Sequence, residues 1–233
     1  MPGTRKPYRG LAMEGPIATW YARNTAKDTR GYRACAQAVA AQLPNGGSVL
    51  EVAPGPGYLA IEIARLGDYR VTGLDISRSF VRIAAENARK AGVAIDFYRG
   101  DAAHMPFAEA SFDFVVCRAA FKNFSDPVGA LNEMHRMLKP SGRASIFDLR
   151  KDATLDDIDA EVDRMGLSWL NRILTKWTFR HMLLKTAYTR EALQQMVFAS
   201  RFEDYHLLQD GIGFELRLTK EPARPISPIQ MTA

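Results

Sequence analysis

Apolar and polar positions change their period several times along the chain, and each change marks an element. Tyr32, Cys35, Ala36, Val39 and Leu43 recur at three- and four-residue spacing. With Ile17, Trp20 and Tyr21 ahead of them, they predict a helical stretch over 16–43. Pro44-Asn45-Gly46-Gly47 stops it. A short apolar strand follows over 48–52, then a helix over 59–66 ended by Gly67-Asp68. A second strand over 69–74 closes on Asp75. Phe80, Ile83, Ala84 and Asn87 place a helix over 79–91, with Gly92 as its C-terminal stop. A third strand is expected over 95–99. The fourth, over 112–117, is almost continuously apolar, as a strand buried on both faces should be. A helix over 127–138, stopped by Lys139-Pro140-Ser141-Gly142, leads to a fifth strand over 143–148.

Strands separated by helices at this spacing imply βαβ units, a parallel sheet and right-handed crossovers. After Asp148 the rhythm breaks. Residues 151–187 carry a run of acids (Asp152, Asp156, Asp157, Asp159, Glu161, Asp163) and then Trp169, Leu170, Ile173, Leu174, Trp177, Phe179, Met182 and Leu183. They read as one or two amphipathic helices inserted before the sheet resumes. Thr189 is placed to cap a further helix. Two last strands, over 205–209 and 214–219, flank a hairpin turn at Asp210-Gly211. The expectation is an α/β fold: a mostly parallel, seven-stranded sheet with helices on both faces and a helical lid after the fifth strand.

Composition narrows the class. The chain has 233 residues, 47% hydrophobic and 24% charged, which suits one globular domain with additions. It divides into an N-terminal helical segment (1–44), a core (45–150), the insertion (151–187), a closing helix and strands (188–221) and a tail (222–233). The net charge is +5, but the basic residues are scattered, which argues against a nucleic-acid partner. The two cysteines, Cys35 and Cys117, lack metal or disulfide spacing and are expected as buried free thiols. No apolar run reaches the ~18 residues of a membrane span and the N-terminus lacks a signal-like apolar region, so a cytoplasmic protein is expected. Residues 1–15 are expected to be loosely ordered. The N-terminal helix and the proline-bearing tail leave room for a homo-oligomer.

In open parallel sheets, ligands bind outside the carboxyl ends of the strands. Gly55-Pro56-Gly57 stands there, between a strand and a helix. Glycines let the backbone approach a ligand, and a helix N-terminus offers free N–H groups. Gly55-x-Gly57-x-x-Ala60 also fits a dinucleotide loop, so a nicotinamide-dependent oxidoreductase stays open at this point, as does a cofactor-binding protein without catalysis. Asp75, at the end of the second strand, can accept from both hydroxyls of a ribose. Asp101, after the third, can accept from an adenine amino group, with Met105-Pro106-Phe107 covering the ring.

Together these segments resemble the class I S-adenosylmethionine-dependent methyltransferases, and within them the ubiquinone/menaquinone C-methyltransferase-like small-molecule group. The matching stretches are 49–57, 73–77, 100–107, 111–116 and 138–143, in order and at family spacing. The resemblance implies a Rossmann-like fold and S-adenosyl-L-methionine as cofactor. It sets Gly55 and Gly57 against the methionine part, Glu51 near its amino group, Asp75 on the ribose and Ile76 beside the adenine. Asp101 and Ala102 would meet the adenine edge. Arg118 would sit near the methionine carboxylate or the sulfonium, and Tyr21 in a helix over the cofactor. Where the family usually has glycine this chain has Ala53, so Ala53 is expected not to need a positive φ. Pro54 and Pro56 stiffen the loop and remove two donors.

Catalytic candidates are fewer. Lys122 and Asn123 follow the fourth strand and Asp148 ends the fifth. Both places flank the transferred methyl in this architecture, although a loop carboxylate is an equal reading for Asp148. His181, near Trp177 and Arg180 in the insertion, is the histidine best placed to face an acceptor. His104 lies in the adenine loop, and His135 and His206 read as structural. No metal-ligand spacing is present. The implied reaction is in-line methyl transfer to a small, partly apolar molecule under a lid.

Overall fold

The computed structural model describes residues 8–9, 13–164, 169, 175–176 and 184–222, and every structural statement below concerns these. Seven strands form one sheet: β1 (Gly47–Val52), β2 (Tyr69–Asp75), β3 (Asp96–Arg99), β4 (Phe112–Arg118), β5 (Leu138–Leu149), β6 (Asp204–Asp210) and β7 (Gly213–Thr219). Their spatial order is β3-β2-β1-β4-β5-β7-β6. β1 to β5 run parallel, and β7 enters antiparallel between β5 and β6. The chain builds outward from β1 in one direction and from β4 in the other. The crevice between β1 and β4 is therefore the switch point where such sheets bind ligands.

The sheet is covered on both faces. Val49 and Leu50 are neighbours on β1, point to opposite faces and are both fully buried. One face packs Leu50, Val115 and Ile146 against helices α5 (Pro127–Met137) and α7 (Arg190–Phe198) through Leu131, Met134 and Leu193. The other packs Val49, Phe114 and Val116 against α2 (Thr29–Gln42) and α3 (Tyr58–Ala64) through Val39, Leu59 and Ile63. Short polar side chains start the helices. Ser77 caps α4 (Arg78–Ala91) by accepting from the Phe80 N–H at 3.1 Å, and Gly92 ends it with φ 70°. Thr189 caps α7 at 3.2 Å.

The stretch 16–43 is two helices, α1 (Gly15–Thr25) and α2. Asp28 accepts from the Gly31 N–H at 3.1 Å and so begins a new helix within the polar run 23–31. β5 starts at Leu138 rather than at 143: Leu138 pairs with Phe112, the register shifts before Phe114, and Ser141 takes φ 63°. The stop signal 139–142 is thus an irregularity inside an extended segment. Of the insertion, α6 (Leu155–Arg164) and a 3-10 turn (Leu184–Thr186) are described. Ile158 and Val162 of α6 form a small cluster of their own with Leu184 and Ile212. Trp177, Phe179, Arg180 and His181 lie outside the described residues, as do most of 1–15 and the tail from 223.

Gly57 shows how tightly the first crossover packs. It has φ 81°, and a Cβ there would stand 2.9 Å from the Ala84 Cβ and 3.1 Å from the Phe97 ring. Gly57→Ala combines overpacking with a left-handed alanine, and should lower the unfolding free energy by about 2–4 kcal/mol in urea denaturation.

Candidate active site

A cleft of about 1430 Å³ opens outside the carboxyl ends of β1, β2, β4 and β5, roofed by Tyr8, Met13 and the residues of α1. Pockets for one ligand run to roughly 300–1,000 Å³, so this one has room for two. Its floor begins with the loop after β1. Here Ala53 has φ 57°, against the expectation from sequence. Its N–H still bonds to the Leu74 carbonyl at 2.7 Å, the last rung of the β1–β2 pairing, and the chain turns directly after it. A left-handed alanine costs about 1–2 kcal/mol.

The two glycines of the loop have different duties. Gly55, with φ 55°, borders the cleft, and a Cβ there would meet nothing within 4 Å. Gly57 is not among the cleft-lining residues, and its bare Cα faces α4 and β3. Asp75 organises the rest. Its Oδ2 accepts from the Gly55 N–H at 2.9 Å and its Oδ1 from the Ser77 N–H at 2.8 Å. Burial outweighs both bonds and lifts its carboxyl to about 6. A carboxylate offers about four lone-pair directions, so acceptor capacity remains for ribose hydroxyls.

Glu51 at the end of β1 is 2% exposed, and burial pushes its carboxyl up to about 8. Its Oε2 is buried without a hydrogen-bond partner. A buried carboxylate oxygen in that state fits a cation arriving from the cleft, as the amino group of S-adenosylmethionine would. Ile76, Asp101 and Ala102 line the same end of the cleft. Asp101 Oδ1 accepts from the Ala103 N–H at 3.0 Å, which fixes the turn after β3. His104 beside it is solvent-exposed.

Arg118 reaches the cleft from the end of β4 and is held from behind. Its Nη2 donates to Asp28 Oδ2 at 2.6 Å, and its guanidinium lies 4.5 Å from the centre of the Tyr32 ring. Gly31 makes room for this, since a Cβ there would come within 2.8 Å of Arg118 Nη2. Tyr21 packs edge-on against Phe80 at 5.7 Å, with burial raising its phenol. At the other end of the cleft Lys122 and Asp148 form a buried pair at 2.7 Å. Asp148 also accepts from the Lys122 N–H at 3.0 Å and the Leu149 N–H at 2.8 Å. Lys122 Nζ donates in addition to the Ala119 carbonyl.

The structure thus gathers Tyr21, Glu51, Gly55, Asp75, Ile76, Asp101, Ala102, Arg118, Lys122 and Asp148 in one cleft. It leaves Gly57 in the packing beneath. His181 lies outside the described residues. Tyr8, Glu14, Asp28 and Tyr32 were missed. Asp28, as an N-cap within a helical run, carried a local signal; the others are brought in by long-range contacts. His135 meets Phe202 edge-on at 5.1 Å and lies outside the cleft. Both cysteines are buried free thiols. Among the described residues no group of side chains could hold a metal ion.

Residues 50–146 match the model of a methyltransferase domain family. The chain is 37% identical to the demethylmenaquinone methyltransferase of Deinococcus radiodurans over 127 residues, 54% of this chain and 52% of that protein. It is 30% identical to the ubiquinone/menaquinone biosynthesis C-methyltransferase UbiE of Coxiella burnetii over 184 residues, 73% of each. A Methanococcus maripaludis protein assigned as an S-adenosyl-L-methionine-dependent methyltransferase has the same fold, with a TM-score of 0.70 at 21% identity, over 97% of this chain and 100% of that one. The match to the Deinococcus enzyme spans about half of that relative's length.

Sheet order, switch-point cleft and matching relatives agree: the chain belongs to the class I S-adenosylmethionine-dependent methyltransferases. Within that class it falls in the group that resembles the ubiquinone/menaquinone C-methyltransferase UbiE in sequence.

The raised carboxyls set a pH dependence. Ordinary values are 4.5 for Glu51 and 3.8 for Asp75, and the fold raises both. Below those ordinary values both groups are protonated whether folded or unfolded. As pH rises through about 6 and about 8, the unfolded chain has already released the protons the fold retains, and stability declines. Denaturant midpoints of the protein alone should fall from pH 5 to 8. Glu51→Gln should flatten the upper part of that fall, and a flat wild-type profile would mean that Glu51 is ionised in the fold.

Proposed function

We propose that this protein is an S-adenosylmethionine-dependent methyltransferase acting on a small, partly apolar aromatic acceptor of quinone type. The observation that carries the reading is one cleft with two unlike ends. The β1–β3 side offers Glu51, Asp75 and Asp101 to an amino acid and a nucleoside. The β4–β5 side offers Phe124, Phe147 and Leu149 around the buried Lys122–Asp148 pair. The relatives named for menaquinone and ubiquinone synthesis support the acceptor class.

When bound, S-adenosylmethionine supplies an electrophilic methyl group on a sulfonium. The chain's part is to hold the reacting atoms in line and keep water out, which can contribute several kcal/mol. Glu51, Gly55, Asp75, Ile76, Asp101, Ala102, Arg118 and Tyr21 are the proposed cofactor contacts. Gly57 supports them from beneath through the packing of α3. Lys122 is the proposed acceptor contact. Its ammonium has three donors, of which Asp148 and the Ala119 carbonyl take two. The third can hold an acceptor oxygen and favour its ionised form. Asp148 keeps that ammonium in place. His181, from the insertion, is a proposed second acceptor contact or base. Among the described residues no helix is long and apolar enough to cross a membrane, and we place the enzyme in the cytoplasm, acting as a monomer or homo-oligomer without nucleic acid.

Calorimetry should show S-adenosylhomocysteine binding and NADH failing to bind. Label from methyl-labelled cofactor should pass to a reduced quinone or related phenol; label found only in RNA or protein would sink the small-molecule reading. Lys122 and Asp148 separate stability from chemistry. Asp148→Ala strands a buried ammonium and should cost about 3–5 kcal/mol in denaturation. The pair replaced by Met and Leu should recover most of that stability while transferring no methyl group.

A further inference from the structure

Residues 8–9 and 13–14, which precede α1, contact the molecule on opposite sides of the cleft. On the β4 side, Tyr8 forms a bridge with Phe124, and the Arg9 N–H donates to the Asn123 carbonyl at 2.8 Å. On the β2 side, Glu14 lies over the start of α4. Its Oε1 accepts from the Arg78 N–H at 2.9 Å and its Oε2 from the Ser79 N–H at 3.0 Å. The Ser77 hydroxyl donates to the Met13 carbonyl at 2.6 Å, and the Gly15 N–H donates to the Ser79 hydroxyl at 2.9 Å. Tyr8, Met13, Glu14, Ile17 and Tyr21 all line the cleft.

The β2-side fastening is built on the segment that binds the nucleoside in the reading above. Arg78, Ser79 and Phe80 carry the free N–H groups that open α4, and all three are satisfied: two by Glu14 and one by Ser77. An anionic acceptor at that end also meets the positive pole of the helix, and the contact holds the Glu14 carboxyl below its ordinary value. Ser77 in turn is bonded through its own N–H to Asp75. One chain of hydrogen bonds therefore runs from Gly55 through Asp75 and Ser77 to Met13.

We infer that Glu14 is a positioning residue which clasps Met13 and the start of α1 to the first turn of α4 and so sets how long the cofactor stays in the cleft. It touches neither the reacting atoms nor the sugar in this scheme. It acts through Ser77–Ser79 by holding the roof formed by Met13, Ile17 and Tyr21. Opening the roof breaks two charge-assisted bonds that re-form on closing, so their loss should appear in the release rate and leave the association rate unchanged.

The inference rests on the S-adenosylmethionine reading, and the experiment separates the two. Release of S-adenosylhomocysteine from the full-length protein is followed by stopped-flow tryptophan fluorescence, since Trp20 of the roof borders the cleft. Glu14→Ala should speed release about tenfold, with association and the thermal midpoint little changed. Glu14→Gln, which keeps an acceptor but loses the charge, should fall between, and Ser79→Ala should shift release in the same direction. A release rate is insensitive to the fraction of folded protein, so simple damage to the fold would not imitate the effect. Unchanged release in Glu14→Ala, or a fall in association alone, would overturn the clasp while leaving the cofactor reading standing. Wild-type protein that binds no S-adenosylhomocysteine would overturn both.

Discussion

One carboxylate holds the binding half of this molecule together. Asp75 sits at the end of β2, 5% exposed, and its two oxygens take N–H groups from two different segments. One is the loop after β1, the other the turn into α4. Each backbone group would cost about 1–3 kcal/mol if buried without a partner, so the carboxylate serves the loops as well as any sugar. Burial resists its ionisation while the two donors favour it, and burial wins. The same side chain that can read a ribose thus decides where Gly55 and Ser77 stand.

The opposite half is organised by an ion pair rather than by a shared acceptor. Lys122 stands in the short 3-10 turn Phe121–Asn123 that follows β4, Asp148 near the end of β5, and neither side chain is more than 9% exposed. Ala119, between β4 and that turn, holds φ 57° while its N–H bonds to the Phe147 carbonyl at 2.7 Å. The backbone strain, the pair and the aromatic rings around it belong to one site. The cleft therefore has a polar, hydrogen-bonded end for the cofactor and an apolar end with one fixed cation, on a sheet whose central strands are buried on both faces.

Much of this was legible in the residues because local rules and the fold agree. The five parallel strands, the hairpin that closes the sheet, and the caps at Gly92 and Thr189 follow from period and turn chemistry. Asp75 and Asp101 were legible because strand ends in such sheets are binding positions. What was hidden depends on contacts distant in sequence or on residues that disguise their conformation. Helical periods stand on both sides of the polar run 23–31, so the boundary at Asp28 is marked only by its N-cap chemistry, which the hydrogen bond to Gly31 makes plain. Ala53 gave no sign of a positive φ, because alanine seldom takes one and only the structure shows the chain turning there directly after the last β1–β2 rung. Gly55 and Gly57 look alike in the motif, yet one opens on the cleft and the other is filled from behind by Ala84 and Phe97. Glu14 sits more than sixty residues from the amides it meets.

The small cluster of Ile158, Val162, Leu184 and Ile212 is separate from both large cores, yet Leu149 packs on it and Thr186 beside it borders the cleft. Few buried apolar contacts mean a low free energy of local opening. Helix α6, with Ile158 and Val162 as its buried residues, can then open ahead of the sheet. Amide hydrogens of α6 would exchange long before those of β1 and β4. The cleft is thus walled by a stiff sheet, and at Leu149 and Thr186 it touches a part of the fold that yields more easily.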